Sequence, residues 1–151
     1  MKDIVLVDVD GTIAELGDRL RFIKQVDPDW DAFYEHCFED EPIDNMIDLV
    51  SALIIAGYNI VFCTGRRECV REQTEKWLQH HFQEIYDPEE RMLLMRPDGD
   101  HRHDTVVKPE QVRKAGITYD EIAFVLEDRN SMVAKWRELG VTCLQVREGD
   151  F

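Results

Sequence analysis

Residues 4–12 read IVLVDVDGT: four aliphatic side chains, Ile4 to Val7, then Asp8-Val9-Asp10 and a Gly11-Thr12 turn. A continuous apolar run that ends in acid marks a strand covered on both faces, because a strand with one wet face would alternate. The pattern recurs downstream. Tyr58–Thr64 (YNIVFCT), Met92–Met95 (MLLM), Ile122–Leu126 (IAFVL) and Val141–Val146 (VTCLQV) are further strand-like runs. Between them lie helix-periodic stretches over residues 42–57, 68–82, 110–114 and 131–139, the first and last closed by Gly57 and Gly140. Strand and helix in alternation predict an α/β, Rossmann-like three-layer fold, a five-stranded parallel sheet flanked by helices.

One segment breaks the alternation. Residues 16–41 lie between the first strand and its crossover helix, are rich in acids and carry Phe22, Trp30, Phe33, Tyr34 and Phe38. Connections here usually run to about 2–6 residues, so this length predicts a small helical cap over the strand ends. Trp30, Phe33 and Tyr34 are read either as the cap's own core or as a platform for a terminal base. The acidic run Glu39–Glu41 is read as solvated surface, Trp77 and Trp136 as core.

At 151 residues the chain has the length of one domain, expected over residues 1–151 with the insert inside it. Lys and Arg number 18 against 32 Asp and Glu, a formal net charge of −14. That surplus repels phosphate backbones and excludes broad grip on long nucleic acid, while leaving room for a local basic pocket. The apolar runs fall short of the ~18 residues of a membrane span, and the first residues do not read as a secretory signal. Cys37, Cys63, Cys69 and Cys143 have no CxxC spacing and are read as reduced thiols, which places the protein in a cytoplasm.

Ligands of an open parallel sheet bind beyond the carboxyl ends of its strands. The first strand ends in Asp8-Val9-Asp10-Gly11-Thr12, the second in Thr64-Gly65-Arg66 and the fourth in Glu127-Asp128-Arg129. Lys108 falls in the connection after the third, ahead of a helix started by Pro109. Four carboxylates, one hydroxyl and one ammonium are thereby predicted at one edge. Carboxylates so crowded call for a hard divalent cation, here Mg²⁺ held by Asp8, Asp128 and the Asp10 carbonyl, with Glu127 beside them. Asp8 is read as a nucleophile on phosphorus and Asp10 as the acid–base partner. Thr64 and the Gly65 amide would hold phosphate oxygens, and Lys108 would neutralise them.

In their order and placement these motifs resemble the haloacid dehalogenase (HAD) superfamily of aspartate-nucleophile phosphatases. More narrowly, DVDGTIA, GYNIVFCTGRRE, DTVVK, EDR and GVTCLQVREGDF are similar to the 3′-phosphatase domain of phage polynucleotide kinases. The resemblance implies that Asp8 is the nucleophile and Asp10 the acid–base. It also implies that Arg19, Arg66 and Asp104 contact substrate or support the lysine. It departs at Glu127, where the family has Asp. The substrate it implies is a 3′-phosphorylated DNA or RNA end or a 3′-nucleotide. No GxxxxGK[ST] loop is present, so a kinase, or a ligase, would be a separate partner; were the chain phage-encoded, the compartment would be the host cytoplasm. The alternatives are a small-molecule nucleotide phosphatase and a non-catalytic, receiver-like phospho-aspartate module.

Overall fold

The computed structural model describes residues 1–151, apart from the side chain of Glu84. Strand β1 (Ile4–Val7) sits at the centre of a five-stranded parallel sheet with β2 (Asn59–Arg67), β3 (Met92–Arg96), β4 (Ile122–Arg129) and β5 (Cys143–Gly149), in the order β3-β2-β1-β4-β5. The alternation of β1 explains its unbroken apolar run. Val5 and Val7 enter one core with Ile60, Phe62, Trp77 and Phe82; Ile4 and Leu6 enter the other with Val61, Cys63, Met132 and Trp136.

The insert carries α1 (Leu20–Ile23) and α2 (Trp30–Glu35), each flanked by a short 3₁₀ turn. Helices α3 (Asp44–Ile55) and α4 (Arg71–Phe82) supply Val50, Trp77, Leu78 and Phe82 to the first core. Helices α5 (Asp104–Lys114) and α6 (Asn130–Glu138) supply Val112, Met132, Val133 and Trp136 to the second. Three layers result, as the alternation of the sequence requires.

Two departures from the sequence reading bear on the site. Helix α5 begins at Asp104 rather than near Glu110, so Lys108 stands on a helix and not in a loop. The ring of His103 accepts the Thr105 amide and starts the helix there, and Pro109 is carried inside it. Asp104 and Lys108, four apart, therefore share a helical face. Strand β2 runs on past Thr64, but its ladder with β3 breaks register between Cys63 and Arg67, and the β4–β5 ladder breaks between Glu127 and Arg129. Both polar motifs lie in these irregularities, which re-aim side chains that a regular pleat would send into the two cores.

Among the described residues no helix is long and apolar enough to cross a membrane. Cys37, Cys63 and Cys143 are buried free thiols, and Cys69 is an exposed one.

Candidate active site

The strand order reverses at β1, whose neighbours are β2 and β4, and a cavity of about 570 Å³ opens there. Asp8, Asp10, Gly65, Asp104, Lys108 and Asp128 all line it. Its floor begins with the turn after β1. The Val9 carbonyl accepts the amides of Thr12, Ile13 and Ala14, and Gly11 takes φ +84°. A Cβ on Gly11 would lie 2.0 Å from Asp128 Oδ2, so the glycine lets β1 and β4 bring their acids together.

The acids fall into two groups of different charge. In the first, Lys108 Nζ donates to Asp8 Oδ1 at 2.7 Å and to Glu127 Oε2 at 2.9 Å, and Thr12 Oγ1 donates to Asp8 Oδ2 at 2.8 Å. Oxygens of Asp8, Glu127 and Asp128 lie within 4.8 Å of one another. Three carboxylates against one ammonium leave a formal charge of −2 on buried groups. Burial, then the Glu127 carboxylate, pushes Asp8 up to about 7 against the pull of Lys108; burial, then Asp8, pushes Asp128 up to about 7 as well. Burial also raises Glu127. Burial would lower Lys108, but Asp8 and Glu127 outweigh it and hold the ammonium well above its ordinary value. Hard oxygen donors carrying two uncompensated charges fit a divalent cation such as Mg²⁺.

The second group is neutral. Asp10 Oδ1 accepts from Arg19 Nη2 at 2.8 Å and from Arg66 Nη2 at 2.7 Å. Both guanidiniums also reach Asp40, Arg19 through two bonds of 2.6 Å and Arg66 through one of 2.9 Å. Burial would raise Asp10, but Arg66 and then Arg19 outweigh it and hold the carboxyl down at about 2. The two acids of the Asp8-Val9-Asp10 motif thus face different partners, one a lysine and further carboxylates, the other a pair of arginines.

Thr64 is buried, and its Oγ1 accepts the Arg66 amide at 3.1 Å. Gly65 is pressed against Asp104; a Cβ there would lie 2.8 Å from Asp104 Oδ1. Asp104 is bound by Arg96 and by Arg129 Nη1, the latter at 2.8 Å, and its carboxylate supports the Lys108 ammonium as a nearby charge without a hydrogen bond to it. Arg96 also donates to the Gly65 carbonyl at 3.2 Å, which ties α5 to the Thr64-Gly65 turn.

Asp40 corrects the reading of residues 39–41 as solvated surface. It is 8% exposed, its carbonyl accepts Trp77 Nε1 at 2.8 Å, and its carboxylate joins the insert to β2 through the two arginines. Neighbouring Glu39 and Glu41 disguised it, and no local pattern separates the three. Thr12 acts where the motif alone shows only a turn residue: its hydroxyl fixes one oxygen of Asp8. Arg96, at the end of β3, has no motif around it that would mark it in the sequence.

A family model described as the polynucleotide kinase PNKP phosphatase domain matches residues 2–151. A solved structure of a Pnkp1/Rnl/Hen1 complex contains a chain that is 29% identical, with a TM-score of 0.78 over 100% of this chain and 48% of that one. A second structure, of the Pnkp1/Rnl/Hen1 RNA repair complex, gives 30% identity and a TM-score of 0.78 over 98% of this chain and 43% of the other. The sequence therefore spans about half the length of these relatives. A HAD family enzyme from Bacteroides thetaiotaomicron, solved with magnesium and inorganic phosphate, is 15% identical and shares the fold, with a TM-score of 0.58 over 100% of this chain and 97% of that one.

Proposed function

The chain belongs to the family of polynucleotide kinase PNKP phosphatase domains, and from that premise we propose that it is a Mg²⁺-dependent phosphomonoesterase acting on 3′-phosphorylated nucleic-acid ends or 3′-nucleotides. The observation that carries this reading is the division of the two acids of the first motif. Asp8 lies at the cavity floor in the group of charge −2, and Asp10 lies beside it in the neutral group.

In this reading Asp8 attacks phosphorus in line with the leaving oxygen. The phosphorus–oxygen bond to the sugar breaks; Asp10, a carboxylate while its arginines hold it, takes up a proton from solvent on leaving them and gives it to the departing alkoxide, and an aspartyl phosphate remains. Asp10, now a carboxylate, takes a proton from water, and the resulting hydroxide attacks phosphorus. The bond to Asp8 breaks and inorganic phosphate leaves. Lys108 and Thr12 each hold one Asp8 oxygen and so fix the plane of the nucleophile. Lys108 also carries the positive charge that the phosphoryl oxygens require. To take up that proton and reach the leaving oxygen Asp10 must release its guanidiniums, since both arginines bind its Oδ1 and Arg66 Nε also donates to its Oδ2 at 3.1 Å. A magnesium ion held by Asp8, Asp128 and the Asp10 carbonyl would supply electrophilic charge to the phosphoryl oxygens and relieve the repulsion among the carboxylates. The magnesium and phosphate bound by the Bacteroides protein of the same fold agree with this assignment. The longer relatives were solved in multi-protein complexes, which supports a kinase or ligase working beside this activity.

The test is turnover of a 3′-phosphorylated oligonucleotide beside nucleoside 3′- and 5′-monophosphates, by the wild type and by Asp8→Asn. The reading expects Mg²⁺-dependent release of phosphate from the 3′-esters and none from the variant. Efficient turnover by Asp8→Asn would refute the nucleophile, and preference for 5′-monophosphates would refute the 3′-end assignment.

A further inference from the structure

The cavity has two unlike walls. One is polar and built by the strand ends and α5; the other comes from the insert and is apolar, with Leu16, Leu20, Ile23, Trp30, Phe33 and Tyr34. Within that wall Phe33 is the buried member: it is 7% exposed and carries the Arg19 guanidinium 4.5 Å from its ring. Trp30 is not buried. It is 45% exposed, although it lines the same cavity as Asp8 and Asp10.

The exposed ring is held in place from behind. Trp30 meets Phe33 edge to face, with centroids 5.7 Å apart and planes at 82°, and lies 6.3 Å from the Tyr34 ring at 29°. Tyr34 is fixed at both ends. Its hydroxyl donates to the Gly65 carbonyl at 3.4 Å, and the Arg67 guanidinium covers its ring at 4.8 Å, itself held by Asp31 at 3.0 Å. A large aromatic on a braced support, connected through Tyr34 to the turn after Thr64, leaves nearly half of its surface open in the wall of the cavity, where a flat ligand can pack.

We propose that Trp30 is the stacking platform for the base of the nucleoside that bears the phosphate, so that the insert selects nucleoside phosphates over plain sugar phosphates. The proposal rests on the phosphomonoesterase reading and narrows its substrate class. Stacking uses the face common to all bases, so the platform discriminates base from no base and not one base from another. It acts on the bound substrate and its transition state alike, and so governs KM and leaves kcat nearly unchanged.

The test compares a nucleoside 3′-phosphate with 1,4-anhydroribitol 3-phosphate, which keeps the sugar and the ester and lacks the base. Trp30→Ala should raise KM for the nucleotide about 5- to 100-fold, Trp30→Phe should restore most of it, and neither should alter KM for the anhydroribitol ester. Equal losses on both esters, or no loss on the nucleotide, would overturn the platform while leaving the phosphatase reading intact. Failure of the wild type to hydrolyse either ester would count against that reading instead. Binding then reads the platform separately. Trp77 and Trp136 are each 1% exposed, so ligand quenching of tryptophan fluorescence reports on Trp30. In an Asp8→Asn background the nucleotide should quench saturably and the anhydroribitol ester should not. Quenching that survives Trp30→Phe would overturn the proposal.

Discussion

Asp8 and Asp10 are two residues apart and chemically identical, yet their surroundings differ. Lys108 and Thr12 hold Asp8 among carboxylates, while Arg19 and Arg66 hold Asp10. If Asp10 serves as the acid–base, Asp10→Asn should lower kcat by about 10²- to 10⁴-fold, with substrate binding preserved; near-normal kcat would remove that role. The charge of −2 around Asp8 yields a second expectation. Protein stripped with EDTA should gain roughly 5–10 °C in Tm at a hundredfold excess of Mg²⁺ over its Kd, and Asp128→Asn should lose most of that gain. An equal shift in the variant would place the cation elsewhere. That Asp8, Asp10, Lys108 and Asp128 would meet at one cavity was legible because short motifs surround them. Asp40 was not, because its meaning comes from two arginines, 21 and 26 residues away along the chain.

At the scale of elements, the site depends on places where regular structure is interrupted. Gly11 turns the chain after β1 with φ +84° in a space closed by Asp128. Gly11→Ala should therefore cost more than about 1 kcal/mol in urea unfolding and weaken Mg²⁺ binding as Asp128 is displaced; unchanged stability would mean that the turn relaxes freely. The insert is joined to the sheet by Asp40, whose carboxylate lies among buried arginines. Removing one partner of such a network costs about 3–5 kcal/mol, so Asp40→Ala should show that loss by the same measurement. A change under 1 kcal/mol would mean that water or Asp10 takes over both guanidiniums. The start of α5 was misread from sequence because Pro109 resembles a helix opening, whereas the His103 cap starts the helix five residues earlier.

At the scale of the whole molecule, a net charge of −14 opposes a long anionic ligand. For a strand-end substrate only the terminal phosphate and its immediate neighbour should be neutralised. The logarithm of kcat/KM for a 3′-phosphorylated single strand should then fall with log salt at a slope shallower than about −1.5, from −0.7 per phosphate contacted. A slope several times steeper would reveal an extended basic track. By itself the sequence determined the parallel sheet, its helical layers and the edge where the acids meet, because burial on both faces and strand–helix alternation are periodic properties carried by neighbours in the chain. It also determined, from length and aromatic content, that residues 16–41 form a helical insert. Tertiary structure alone decided that Asp10 pairs with Arg19 and Arg66, that Asp104 turns to Arg96 and Arg129, that Asp40 is buried and that Trp30 is exposed to the cavity. Those outcomes are set by charge balance and packing between segments remote in sequence, and no local pattern encodes them.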